Sequence, residues 1–164
     1  MLIEQDKYCY VSFSFVLLLL AFLCIVSCSD TSKPKIHTNK DLLNVLKDHT
    51  QTIILGSSNG PQIIITPELS ARVLGASFDG ENGENLFWVD KTILDNTYWS
   101  KKPYFWNAGG YRTWLAPEDL FFLNDKKEWF VPTELDPAPY RIFDQNENNA
   151  TFEADINLKS NTGK

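Results

Sequence analysis

Cysteine is nearly absent. The 164 residues hold three, Cys9, Cys24 and Cys28, all near the N-terminus. From Ser29 onward there is no thiol, which leaves no disulfide framework, no cysteine zinc site and no cysteine nucleophile in that part. Histidine is almost as scarce, with His37 and His49 alone. His49 falls where a helix should end, a place that favours partial positive charge, and this reads better than a ligand or a base. Basic runs are missing too: the net charge is -6 and the pI about 4.9. That argues against a nucleic-acid partner and reads as a solvated surface. There is no Gly-rich phosphate loop, no βαβ alternation and no repeat of solenoid period. Asp79, Glu81 and Glu84 gather in one turn but lack EF-hand spacing, so neither a metal nor a cofactor is expected.

What the chain does have begins with an apolar run from Val11 to Val26, broken only by Ser12 and Ser14. It ends in Ile25-Val26-Ser27-Cys28. A hydrophobic core followed by small residues is an export signal. The aliphatic residue, two smaller ones and Cys resemble a bacterial lipobox. That resemblance implies a signal peptide over 1–27, lipid on Cys28, and a protein anchored to a membrane of the cell envelope. The alternative is an uncleaved anchor, since a spanning helix needs roughly 18 apolar residues. Without Lys7, Glu4 and Asp6 the charge of -6 becomes -5. Residues 28–37 are polar and contain Pro34, as a tether does.

The remainder, 38–164, reads as one domain, all-β with one short N-terminal helix. Thr38 or Asn39 caps a helix carrying Leu42, Val45 and Leu46. Strands are expected at Thr52–Leu55, Gln62–Thr66, Ala71–Phe78 and Leu86–Val89, with turns at Gly56–Pro61 and Asp79–Glu84. In the third strand Arg72, Leu74, Ala76 and Phe78 share one face. Asp90–Lys102 reads as a loop, Leu120–Leu123 as a strand pairing back with Trp129–Val131, and Tyr140–Phe143 with Ala150–Leu158 as a last hairpin. Pro132–Pro139, with three prolines, cannot be a central strand. An ending so soon after a strand with an apolar face leads us to expect a fragment.

The most specific stretch is Asn107-Ala108-Gly109-Gly110-Tyr111-Arg112-Thr113-Trp114-Leu115-Ala116-Pro117-Glu118. Two glycines allow a close backbone approach. Arg112 can donate parallel hydrogen bonds to vicinal hydroxyls or to a carboxylate, or it can bridge to Glu118 and brace the loop. Arg72, among apolar neighbours, points to a polar cavity or a buried partner. Trp114, Trp106 and Tyr111 offer flat faces to a sugar, or core packing. Glu118 is either a sugar-hydroxyl acceptor or a loop-fixing carboxylate. Glu81 and Asn82 read as a solvated turn. Asn149-Ala150-Thr151 is a glycosylation sequon of little weight in a bacterial protein.

The order of these signals is similar to that in a family of exported bacterial proteins related to galactose mutarotase (aldose 1-epimerase). It runs from the helix at Asp41–His49 through Gln62–Thr66, Pro67–Val73, Gly80-Glu81-Asn82 and Leu86–Val89 to Gly109–Glu118, and covers about 40–164. The resemblance implies a partial galactose-mutarotase-like β-supersandwich and a carbohydrate ligand. Ring opening in such enzymes needs a carboxylate base and a histidine acid. The family's base lies in its C-terminal half, and no histidine follows His49, so no catalytic residue is assigned. A non-catalytic envelope protein, and the front half of an active enzyme, remain alternatives.

Overall fold

The computed structural model describes residues 35–160. The signal, Cys28 and most of the tether lie outside the described residues.

Helix α1, Asn39–Leu46, starts where the sequence asks it to. Thr38 Oγ1 accepts from the Asp41 N–H at 3.1 Å, while Asp41 Oδ2 accepts from Thr38 N at 3.0 Å and His37 N at 3.1 Å. This reciprocal cap satisfies amides that the first helical turn leaves without partners. The same bonds, led by the Thr38 backbone amide, hold the Asp41 carboxyl below its ordinary range. Because the folded value is depressed, its stabilisation is present above the unfolded carboxylate value of about 3.9 and is lost as pH falls through the folded one. Thr38→Ala should cost ~1 kcal/mol in urea denaturation. Asp41→Asn should flatten the acid limb of the stability profile; an unchanged limb would show that the cap carries no pH dependence.

Strands β1 (Ile53–Gly56), β2 (Gln62–Thr66) and β3 (Arg72–Ser77) form an antiparallel sheet in sequence order. β1 and β2 pair from Ile53 with Ile65 to Gly56 with Gln62. Between β2 and β3 the register slips: Ile64 faces Gly75 but Ile65 faces Val73, so Leu74 is an extra residue. Such a bulge reverses the alternation beyond it. Arg72 and Leu74 are buried as the alternation predicts, but next come Gly75 and Ser77, and Phe78 is exposed. The expected single face of Arg72, Leu74, Ala76 and Phe78 is therefore corrected.

One apolar cluster joins α1 to the sheet through Leu42, Leu46, Ile64, Leu69 and Leu74, and extends to Ile93, Tyr98, Trp99 and Tyr104. A second joins Ile53, Leu55 and Ile65 to Ile142, Ala150 and Phe152 of the last hairpin. That hairpin comprises β4 (Arg141–Gln145) and β5 (Ala150–Glu153). β5 stops well short of Leu158. Glu147 C=O accepts from Gly56 N–H at 2.9 Å, which ties the hairpin to the end of β1. The described residues are β-rich, in two small antiparallel sheets with short helices.

Three further expectations are corrected. Leu86–Val89 is not a strand, because the Asn85 side chain takes the place of a ladder. Its Oδ1 accepts from Ala76 N at 3.2 Å and Phe87 N at 3.1 Å, and its Nδ2 donates to the Leu74 carbonyl at 3.2 Å. Asp90–Lys102 is not merely a loop. Asp90 and Asp95 cap a 3-10 turn, Lys91–Leu94, and helix α2, Asn96–Ser100, by accepting from Thr92 N and Thr97 N. The apolar run Leu120–Leu123 is not a strand either: Glu118–Phe121 forms helix α3, entered from Pro117 with Glu118 and Asp119 in its first turn. A run of four apolar residues does not distinguish strand from helix. The pairing back does occur, as a single bridge between Leu123 and Trp129.

Candidate functional site

Residues 107–111 are threaded between two backbone segments. Tyr111 exchanges both hydrogen bonds with Val73 of β3, at 2.8 and 2.9 Å. On the other side Gly110 N–H donates to Trp88 C=O at 2.8 Å and Asp90 N–H to Ala108 C=O at 3.1 Å. Both glycines are needed. Gly109 has φ +92° and Gly110 φ +69°. A Cβ on Gly109 would collide with the Trp88 carbonyl, and one on Gly110 with the Val73 carbonyl. Only a residue without a side chain fits between strand edge and loop.

This threading sets the Gly109 and Trp106 carbonyls above Arg72. The Arg72 side chain is 1% exposed, and Asp136 beside it 2%. Arg72 Nη1 donates to Gly109 O at 2.7 Å, and Nη2 to Trp106 O at 2.7 Å. Nη2 also straddles the Asp136 carboxylate, at 2.8 Å from Oδ1 and 2.7 Å from Oδ2. Asp136 is held in turn by Ser70, whose hydroxyl donates to Leu135 O at 2.9 Å and accepts from Ala138 N at 2.9 Å. Ser70 N–H donates to Ala138 O and Tyr140 N–H to Pro67 O, so the proline-rich segment docks along the 67–70 turn. Burial lifts the Tyr140 phenol above its ordinary pKa, and Asp136 adds to the effect.

Arg112 completes the cluster from the cleft side. Nη1 lies 2.9 Å from Asp136 Oδ2, and its side chain is 15% exposed. Its guanidinium carbon sits 4.1 Å from the centre of the Trp114 ring and 4.8 Å from that of Trp106. Two indoles thus grip the cation, each contact adding ~0.5–2 kcal/mol. Burial lowers the Arg112 pKa and Asp136 opposes that fall; an arginine stays charged regardless. Phe122, fully buried, stacks behind Trp114 at 4.0 Å.

Of the two roles open to Arg112, the bridge to Glu118 is not formed. Glu118 is exposed and its Oε1 accepts from the Trp114 indole N–H at 2.7 Å, so it fixes the indole from outside. Arg72, Tyr111, Arg112 and Trp114 do come together, with Trp88, Asn107, Gly109 and Gly110, around an open cleft of about 350 Å³. Arg72 forms part of its wall while holding Asp136, the buried partner its apolar neighbours call for. Trp106 lies behind the cleft, against Arg112. His49 is elsewhere, stacked on Trp99 at 5.0 Å. Among the described residues no His/Cys/Asp/Glu group is placed to hold a metal, and no helix is long and apolar enough to cross a membrane.

Two residues escape the sequence pattern. Asp136 is 64 positions from Arg72, inside a segment whose prolines speak only against a strand. A cation amid apolar residues is the one signal that such a carboxylate exists. Trp88 sits in what looks like a strand, yet it is 59% exposed and is one of the residues lining the cleft.

Among known families, the one described as "Family of unknown function (DUF6786)" matches residues 37–164. No curated protein and no solved structure matches the chain.

Proposed function

The chain belongs to DUF6786, a family of unknown function, and we propose that it is an exported, lipid-anchored protein that binds a carbohydrate in the cleft beside Gly109–Trp114. The observation that carries this reading is the cleft's make-up. Trp88 and Tyr111, both among its lining residues, are 59% and 65% exposed, and Trp114, Asn107 and Arg112 line it with them. Exposed aromatic faces beside fixed hydrogen-bond donors suit a ring with an apolar C–H side and a hydroxyl edge. The order of motifs is what supports reading the domain as part of a mutarotase-like supersandwich.

Binding suits the site better than turnover. Asp136 is clamped by two guanidiniums, Glu118 is held by the Trp114 indole, and neither histidine lines the cleft. A second reading, a non-catalytic structural protein of the envelope, draws on the closed Arg72–Asp136 pair, which braces the loop without any ligand.

Mono- and oligosaccharides titrated against tryptophan fluorescence test the first reading. Binding is expected for at least one sugar, with Trp88→Ala weakening it by ~1–2 kcal/mol, about five- to thirtyfold. A folded protein that answers to no sugar would sink the reading and favour the second. Export rests on Ile25–Cys28: Cys28→Ala should move the protein from the membrane fraction to the soluble one, and persistence in the membrane would point to an uncleaved anchor.

A further inference from the structure

We infer that the ligand of this cleft is a sugar acid: a pyranose or oligosaccharide carrying a single negative charge, taken by the free edge of Arg112. This deepens the carbohydrate reading and rests on it.

Charge comes first. The cluster holds two guanidiniums, Arg72 and Arg112, against one carboxylate, Asp136. It therefore carries one surplus positive charge in a partly desolvated place, where a counter-charge is worth more than in water. Glu118 does not cancel it. That carboxylate is exposed and bonded to the Trp114 indole, where solvent screens its charge.

Geometry follows. Asp136 and the Trp106 carbonyl take only Nη1 of Arg112, at 2.9 and 3.5 Å. The Nη2 and Nε groups make no hydrogen bond among the described residues. Trp114 at 4.1 Å and Trp106 at 4.8 Å meet the guanidinium from two sides about a right angle apart, which restricts its orientation. An arginine edge with its orientation already set is suited to a planar carboxylate. Arg72, in the wall of the same cleft, has a buried Nε–H with no partner. Buried donors are rarely left so, and this one leaves the Arg72 side of the cluster one acceptor short. Trp88 and Tyr111 beside these donors supply the apolar faces for the ring. A surplus of one charge matches a carboxylate or a sulfate ester better than a phosphate, and planarity favours the carboxylate.

The test compares like rings on the intact protein. Galacturonate and glucuronate, with their short oligomers, are titrated beside galactose and glucose oligomers of the same length at low salt. Galactose 6-sulfate and galactose 6-phosphate serve as further arms. The uronates are expected to bind at least about tenfold more tightly than the neutral sugars, the gap narrowing as salt screens the contact. Arg112→Gln should erase that preference and Arg112→Lys should keep part of it, each variant being checked for folding by its near-UV spectrum. A sulfate or phosphate ester that outbinds the uronate would overturn the carboxylate assignment. Neutral sugars binding as tightly as uronates would overturn the inference and leave the carbohydrate reading standing. No binding of either class would overturn both.

Discussion

Asp136→Ala is expected to lower the stability of the folded domain by about 3–5 kcal/mol, the cost of removing one partner from a buried ion pair. The loss is large because the other partners cannot leave. Arg72 is anchored by the Gly109 and Trp106 carbonyls and has almost no contact with water, and Arg112 is held against two indoles. Without Asp136 two like charges face each other in a desolvated site. Domains of this size are held by about 5–15 kcal/mol in all. The variant should therefore denature at much lower urea, and the exposed-turn variant Asp125→Ala should stay within ~0.5 kcal/mol of the parent. Replacing Arg72 and Asp136 together by Met and Leu should cost less than Asp136→Ala alone, since the fully buried Arg72 charge goes with its partner and only the more exposed Arg112 is left unpaired. A change below about 1 kcal/mol for Asp136→Ala would mean that water reaches the cluster and screens it.

This cluster also marks where sequence reasoning ends. Local signals were readable. The Thr38–Asp41 cap, the Leu42–Leu46 stripe and the β1–β2 hairpin each lie within a few residues of the groups that decide them. Arg72 on an apolar face points to a polar cavity or a buried partner, and the structure supplies the partner, Asp136. Its identity does not follow, because the partner is 64 residues distant and reaches Arg72 only after the 132–140 segment docks on Ser70. Arg112 invites pairing with Glu118 by proximity, but the Trp114 indole takes that carboxylate first. The strand at Leu86–Val89 fails for a related reason. The side chain of Asn85 supplies the bonds that a backbone ladder would make, and no periodicity announces it. The reversed alternation in β3 comes from one extra residue, Leu74, visible only in the pairing.

Phe122→Ala should be nearly as damaging, by about 3–5 kcal/mol, the usual range for emptying a buried phenylalanine site. Phe122 is fully buried, and its ring lies 13° from parallel to the Trp114 ring. It belongs to neither of the two main apolar clusters. Its neighbours are the rings of the 106–130 stretch, where Trp114 leads to Trp106 and Trp106 to Trp129. The deficit should therefore appear first as local opening of that stretch. The amides to follow are Phe130, which donates to the Phe122 carbonyl, and Phe122, which donates to Glu118. Both should lose hydrogen-exchange protection before the amides of β2. Function should fall with it. Trp114 without its backing ring no longer holds one face of Arg112, so sugar affinity should drop although Phe122 itself does not line the cleft. Phe122→Leu, which keeps much of the volume, should retain most of both. If Phe122→Ala lowers stability but leaves the Trp114 fluorescence and the affinity at parental levels, Trp114 is positioned by Glu118 alone, and the stacked ring serves packing rather than the site.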